Sequence, residues 1–228
     1  MPGSWDPAWE TIFKSRAWGT YPSEHVVRFV ARHFGAVPDR AAVTLLDLGT
    51  GAGGACAWYM AREGFSVAAI EASPTGMDLA RQRFAAERVS VDARLGDIIT
   101  LPWSDATFDG VVDNACLCCN AFANCRRIVP EVFRVLKPGG RFLSANFTDR
   151  CSGYGRGREV EPGGFTSRTG SGPLAGDYFT LFMGRAQVDE LYGIFDEVVV
   201  DLSSFTSGGG SDRVELWLVT CSKAQAGT

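Results

Sequence analysis

The sequence predicts an α/β fold built on a mostly parallel sheet, and three features of the chain indicate it. Short β-rich runs alternate with segments of helical periodicity, the pattern of strands joined by crossover helices. Residues 43–48 form a nearly continuous apolar run, which is typical of a strand covered on both faces. The last two predicted strands, 198–202 and 214–219, have no helix between them, so they must pair antiparallel.

The other elements follow from local signals. Residues 23–34 place apolar side chains on one helical face, and Ser73-Pro74 combines a hydroxyl cap with proline at the first helical position. Residues 137–140, Lys-Pro-Gly-Gly, end a helix and lead into a strand. Strands are expected at 43–48, 65–71, 91–95, 108–113 and 141–147, and further helices at 52–60, 74–84, 128–136 and 188–195.

Composition limits the class of protein and its partners. A chain of 228 residues with 46% hydrophobic and 21% charged residues fits one globular domain over residues 1–228. The net charge of -4 gives no basic excess for nucleic acid, and no apolar run reaches the roughly 18 to 20 residues of a membrane span. The start lacks a secretory pattern, and seven scattered cysteines suit a reducing cytoplasm. The sequence does not indicate an oligomeric state.

Residues 150–177 interrupt the alternation, because they are rich in glycine and arginine and poor in periodic apolar positions. A long segment of this kind inside a compact domain is usually functional or disordered. Two interpretations stay open, a mobile lid over a ligand site and an uncommitted surface loop.

Residues 45–54 carry the most informative motif, a buried strand that runs into a glycine-rich turn and then into a helix. Its glycines also satisfy the G-x-G-x-x-G pattern of dinucleotide-binding folds, so the motif alone is ambiguous. Asp47, Glu71 and Asp97 follow three successive strands, where their carboxylates would meet at one edge of the sheet. Such acids suit an ammonium group, ribose hydroxyls and an adenine amine, and they disfavour phosphates.

With these residues in place, the chain resembles the class I S-adenosyl-L-methionine-dependent methyltransferases. The resemblance rests on the glycine motif at 45–53, on Glu71, on the segments Leu95-Gly96-Asp97 and Leu101-Pro102-Trp103, and on the Leu-Lys-Pro-Gly-Gly turn at 136–140. It implies a Rossmann-like, seven-stranded, mostly parallel sheet with the last strand antiparallel and helices on both faces. It also implies a small-molecule acceptor and residues 1–40 as an N-terminal cover.

The resemblance assigns roles by position. Gly49 and Gly51 would pass the methionyl moiety, with Asp47 near its amino group, and Gly53 is predicted to belong to the same cofactor site. Glu71 would hold the ribose, and Asp97 with Ile98 the adenine. Asp113 and Asn114 would face the methyl group that is transferred. Tyr21 would cover the methionyl end with its aromatic ring, and these three residues complete the predicted cofactor site.

Neither a catalytic residue nor a metal site is assigned from the sequence. His25 is a candidate base because the start of its helix could overhang the site. The cysteines at 116, 118, 119 and 125 lack the paired spacing of zinc sites, which favours packing over metal binding. Four arginines at 150, 156, 158 and 168 either meet an anionic acceptor or lie solvated in a flexible loop. Two other functions stay open, a non-catalytic cofactor-binding protein on this fold and a nicotinamide-dependent oxidoreductase.

Overall fold

The computed structural model describes residues 5–15, 19–168 and 175–225. Parts of the predicted N-terminal cover, at 1–4 and 16–18, and of the predicted lid, at 169–174, lie outside the described residues. None of the described helices is both long and apolar enough to cross a bilayer.

A seven-stranded sheet forms the centre of the molecule and confirms the predicted architecture. Its strand order is β3-β2-β1-β4-β5-β10-β9. The first five strands run parallel, and β10 inserts antiparallel between β5 and β9. The strands are β1 Thr44–Leu48, β2 Ser66–Glu71, β3 Asp92–Leu95, β4 Phe108–Asn114, β5 Leu136–Phe147, β9 Glu197–Ser207 and β10 Asp212–Ser222.

Helices cover both faces of this sheet, because the two faces carry separate apolar clusters. One cluster includes Ile128, Val132 and Leu191, and the other includes Phe29 and Met60. Ser73 caps its helix as predicted, since its hydroxyl accepts from the Gly76 amide at 3.0 Å. The helices are α1 Ala8–Ser15, α2 Glu24–Phe34, α3 Ala55–Arg62, α4 Pro74–Ala86, α5 Phe122–Val135 and α6 Arg185–Tyr192.

The described part of residues 150–177 contains two short strands, although its sequence shows no periodic apolar pattern. The interpretation as an uncommitted surface loop is therefore wrong for these strands. Strands β6 Arg158–Glu161 and β7 Gly164–Thr166 form a small antiparallel sheet with β8 Thr180–Leu181. Its apolar side, including Phe165, packs on Phe182 and Val214. Only a few apolar residues are needed for so small a sheet, which is why the sequence shows no clear period.

Strand β5 also begins earlier than residue 141. Leu136 pairs with Phe108 across a register shift, and the Gly139 amide donates to the Lys223 carbonyl at 2.8 Å. These contacts keep residues 137–140, predicted as a turn before the strand, within strand β5. A positive φ of +77° at Gly139 allows the chain to bend without leaving the strand.

Asp113 joins the end of β4 to β5 from inside the core. Its side chain is 0% exposed and accepts from the Ser144 hydroxyl at 2.5 Å and the Asn146 amide at 2.6 Å. The backbone amides of Cys116 and Leu117 donate to it at 2.8 and 3.1 Å. Four donors therefore depend on one carboxylate that has no contact with water.

We expect Asp113→Ala to lower the free energy of unfolding by about 3 to 5 kcal/mol, because it leaves several buried donors without an acceptor. Asp113→Asn keeps one acceptor oxygen and should lose less. Urea denaturation measures both changes. The control is Asp201→Ala on exposed β9, which should stay within about 0.5 kcal/mol of the parent. An equally small loss for Asp113→Ala would show that this network does not hold the fold.

Candidate cofactor and acceptor site

A cavity of about 360 Å³ opens at the carboxyl ends of β1, β2 and β4. One wall is formed by residues 49–51, the first part of the glycine turn at 49–54, and by the strand-end acids. The opposite side is formed by α1 and by residues 178–180 next to β8. The carboxyl edge of a parallel sheet is where such folds bind ligands.

The glycine turn leaves bare backbone against the cavity. Gly49 and Gly51 have φ values of +60° and +62°, which disfavour residues with a side chain. A Cβ at Gly49 would overlap the Cys116 thiol, so this position has no room for one. A Cβ at Gly51 would come near only Phe13 Cζ, at 3.8 Å, and would therefore occupy the cavity.

Gly53 differs from this expectation. It does not line the cavity, and its carbonyl accepts from Arg83 Nη1 at 2.5 Å on the far side of the turn. Its predicted place in the cofactor site is not supported by this position. Gly54, with φ +54°, begins α3, where a Cβ would overlap the Phe84 ring.

Asp47 lines the cavity with a side chain that is only 2% exposed. Its Oδ2 accepts from the Thr50 hydroxyl at 2.6 Å and from the Ala57 amide at 3.1 Å. Burial raises the pKa of this carboxyl to about 7, although both hydrogen bonds oppose the shift. A cation placed beside it would favour the ionised form.

Glu71 fastens the glycine turn to the end of β2. One carboxylate oxygen accepts from the Gly51 amide and the other from the Ser73 amide, each at 2.9 Å. Burial raises the pKa of Glu71, and these two amides lower it. Each oxygen keeps a further lone pair, so the carboxylate can still accept from a ligand hydroxyl.

The predicted adenine region also lies at the cavity. Asp97 and Ile98 both line it, and Asp97 Oδ1 accepts from the Ile99 amide at 3.1 Å. This bond holds the turn after β3 and leaves Ile98 as a buried apolar wall.

The side chains of Asn114 and Asp113, both predicted to face the transferred methyl group, lie on different sides of the chain. Asn114 lines the cavity, whereas Asp113 lies in the core network and does not. The Asp113 prediction is therefore wrong, because Ser144 and Asn146 draw its carboxylate away from the ligand side. His25 Nε2 lies 2.8 Å from Asn114 Oδ1, and the amide oxygen makes the ring nitrogen the donor. Burial lowers the pKa of His25.

His25 itself is not among the described residues that line the cavity. It contacts the site through Asn114 and orients that amide, so a direct base role is not supported by the geometry. Tyr21 does line the cavity, at its rim, with 78% of its surface exposed. Its ring packs edge-on against Trp58 at 6.3 Å.

Helix α1 supplies aromatic residues to the site that are not predicted from the sequence. Trp9 and Phe13 line the cavity, and the Trp9 ring lies 4.8 Å from that of Tyr178. Glu10 fixes the helix by accepting from Ser73 and from Thr75. The signal in the sequence is the four-residue spacing of the two aromatic side chains, which places them on one helical face.

The cysteine cluster divides between the cavity and the core. Cys116 and Cys119 line the cavity, and Cys118 and Cys125 are fully buried. Among the described residues, no group of three or more histidine, cysteine or acidic side chains is arranged to hold a metal ion. The two buried thiols fill space in the core, as the packing interpretation predicts.

The arginines of residues 150–177 contact the protein instead of the cavity. Arg150 pairs with Glu215 at 2.6 Å, and Arg156 lies 3.8 Å from Asp212. Arg168 is buried, and its guanidinium donates to the Phe165 and Tyr178 carbonyls. Of the four, none is found among the described cavity residues, and Arg168 contradicts the picture of a solvated loop.

A family model described as a methyltransferase domain matches residues 46–144. The match begins in β1 and contains the glycine turn, Glu71, Asp97 and Asn114. This region of the chain, from β1 into β5, is similar to the methyltransferase domain that the model describes. The predicted resemblance to class I S-adenosylmethionine-dependent methyltransferases and the predicted fold class are confirmed, and the same similarity supports the predicted cofactor.

Several curated methyltransferases are similar to this chain over the same region. Demethylmenaquinone methyltransferase from Deinococcus radiodurans is 38% identical over 80 residues, which are 35% of this chain and 32% of the relative. The chain matches about a third of the length of the first such relatives.

Solved structures share the fold over most of the chain. A SAM-dependent methyltransferase from Methanosarcina mazei has a TM-score of 0.64 at 20% identity, covering 80% of this chain and 93% of its own. The 1,6-didemethyltoxoflavin-N1-methyltransferase from Burkholderia thailandensis, solved with 1,6-didemethyltoxoflavin and S-adenosylhomocysteine bound, has a TM-score of 0.54 at 20% identity. The shared regions are 89% of this chain and 78% of that one.

We expect Gly51→Ala to weaken binding of S-adenosylhomocysteine by at least tenfold, because its methyl group enters the cavity at the glycine turn. Gly64→Ala is the matched control. Gly64 also has a positive φ, +93°, but its Cβ would come near only Arg40 Cβ, outside the cavity. Both variants should lose about 1 kcal/mol of stability or somewhat more from backbone strain. Titration calorimetry with equal affinities for the two variants would refute the placement of the site at this turn.

Proposed function

We propose that this chain transfers a methyl group from S-adenosylmethionine to a small-molecule acceptor by direct displacement. The observation that carries the proposal is the composition of the cavity wall. Asp47, Glu71 and Asp97 line it around the glycine turn, and no lysine, arginine or histidine lines it among the described residues. This wall suits an adenosine with a cationic tail and gives a pyrophosphate no counter-charge.

The residues present fit that cofactor at each of its ends. Asp47 would face the amino group, the free lone pairs of Glu71 the ribose hydroxyls, and Asp97 with Ile98 the adenine. Tyr21, at the rim, would cover the methionyl end. When bound, S-adenosylmethionine supplies an electrophilic methyl group on a positively charged sulfur.

The chain itself then has to align the acceptor and exclude water. Alignment of the two reactants can lower the activation barrier by roughly 7 to 11 kcal/mol. Some acceptors therefore need no dedicated catalytic base from the protein. Asn114, held by His25, offers an oriented amide at the cavity wall beside Gly49 and Cys116. Aromatic side chains of α1 and Tyr178 close the opposite wall against water.

The cell compartment that we propose is the reducing cytoplasm. All seven cysteines lie in the described residues, and each is a free thiol. Their number and burial support this location, since thiols of this kind persist where disulfides do not form.

We expect S-adenosylhomocysteine to bind at least a hundredfold more tightly than NAD(H) or NADP(H), because a pyrophosphate would meet several carboxylates and no cationic side chain among the described lining residues. Titration calorimetry with S-adenosylhomocysteine and with each of the four dinucleotides measures the difference. Preferential binding of a nicotinamide dinucleotide would overturn the proposal. Incubation with S-adenosylmethionine and a panel of small acceptors, read by product mass, then tests turnover. Tight cofactor binding with no methylated product across the panel would favour the non-catalytic alternative.

We also expect cofactor affinity to rise with pH up to about 7 and to level off above it. Without ligand the Asp47 carboxyl holds its proton up to about pH 7, and a neighbouring ammonium group favours the carboxylate, so binding releases the proton. Affinity should change by up to tenfold per pH unit below 7. Calorimetry in buffers of different ionisation enthalpy counts the released protons.

Asp47→Asn is the control for this pH dependence, since the amide cannot titrate. Glu71 also has a raised pKa, so a slope that persists in Asp47→Asn would assign the proton to Glu71 instead. For the unliganded protein the sign is opposite. A carboxyl whose folded pKa is raised from 3.8 to about 7 contributes stability that declines as pH rises through this interval.

A further inference from the structure

We infer that the acceptor is a planar aromatic molecule without negative charge, and that it donates an N–H or O–H hydrogen bond to Asn120 Oδ1. The inference rests on the proposed function, because it describes the acceptor end of the same cavity. It adds a chemical class and a recognition residue that neither the family nor its cofactor chemistry specifies.

Asn120 has an acceptor atom that the protein leaves unused. The residue is 4% exposed and lines the cavity, and its Oδ1 is buried without a hydrogen-bond partner among the described residues. A buried oxygen of this kind is costly unless a ligand provides a donor. The cavity is the direction from which such a donor can come.

The orientation of the Asn120 amide is fixed by its other end. Nδ2 donates to the Cys116 carbonyl at 3.0 Å. Reversing the amide would place Oδ1 against that carbonyl oxygen, so two acceptors would face each other. Oδ1 is therefore the atom left for a ligand, and the ligand must supply a donor to it.

Aromatic side chains line the same cavity as Asn120. Tyr178, Trp9 and Phe147 line the same cavity, and the rings of Trp9 and Tyr178 lie 4.8 Å apart at 46°. Asp6 holds these two walls together, because its Oδ1 accepts from the Ala8 amide and its Oδ2 from the Phe179 amide. Flat rings of this kind favour a flat aromatic ligand.

The charges at the cavity exclude an anionic acceptor. Asp6, Asp47, Glu71 and Asp97 line it, and among the described lining residues there is no cationic side chain to oppose them. The arginines at 150 and 156 pair with acids outside the cavity, and Arg168 is directed to backbone carbonyls. A carboxylate or phosphate on the acceptor would be repelled.

The test uses matched aromatic ligands with the full-length protein saturated with S-adenosylhomocysteine. A panel of bicyclic rings is prepared in triplets that differ in one substituent, for example a hydroxyquinoline, the corresponding fluoroquinoline and the quinolinecarboxylate. Ligand-observed NMR and calorimetry compare their affinities. The hydroxyl or amino members should bind at least tenfold more tightly than the fluorinated members, and the carboxylates more weakly than either. Equal binding within triplets, preferred binding of carboxylates, or no donor-bearing binder in the panel would overturn the inference.

Two variants assign the preference to Asn120. Asn120→Leu and Asn120→Asp both lose the bond to the Cys116 carbonyl, but only the aspartate keeps an acceptor for the ligand. The preference for the donor-bearing member should fall to about one in Asn120→Leu and persist in Asn120→Asp. Its persistence in Asn120→Leu would contradict the role of Oδ1.

The wild-type triplets decide the inference even where neither variant folds. Binding of S-adenosylhomocysteine alone separates this inference from the proposed function. A protein that does not bind it refutes the proposed function. A protein that binds it but ignores the donor refutes only the acceptor class.

Discussion

The hydrogen bond from the Gly51 amide to Glu71 ties the glycine turn after β1 to the end of β2, and the shape of the cavity depends on it. Asp47 makes a similar connection, from the end of β1 to the first turn of α3 through the Ala57 amide. Such amides at a helix start have no partner within the helix. Because protein carboxylates satisfy them, the turn is formed without help from a ligand, and little ordering has to accompany binding.

Much of the sheet and of this turn can be predicted from the sequence, because their signals are local. Ser73-Pro74 begins α4 as expected, and the strand at 43–48 has the apolar run of a buried parallel strand. Asp113 shows where local signals end. An acid at a strand end has the same sequence pattern whether it faces the ligand or the core, and here Ser144 and Asn146, about thirty residues later, determine which.

The wall of the cavity that α1 and the segment around Tyr178 form depends on long-range contacts, and most of it could not be predicted from the sequence. Asp6 reaches the Phe179 amide across 173 positions of the chain, and Glu10 reaches Thr75 across 65. Only the spacing of Trp9 and Phe13 is visible locally. From the sequence, the arginines at 150–177 are candidate contacts for an anionic acceptor. Arg168 instead donates to two backbone carbonyls inside the protein, and composition alone does not show where such carbonyls lie.

Helix α1 contacts both ends of the cavity at once. Glu10 binds the start of α4 on the cofactor side, and Phe13 is the one buried side chain of the helix. Asp6, just before the helix, accepts from the Ala8 amide and also from the Phe179 amide on the acceptor side. A shift of this short helix therefore changes the surroundings of both ligands together. A ligand that orders the helix at one end lowers the free-energy cost of ordering it for a ligand at the other end. By thermodynamic linkage, each ligand then changes the affinity for the other by the same factor.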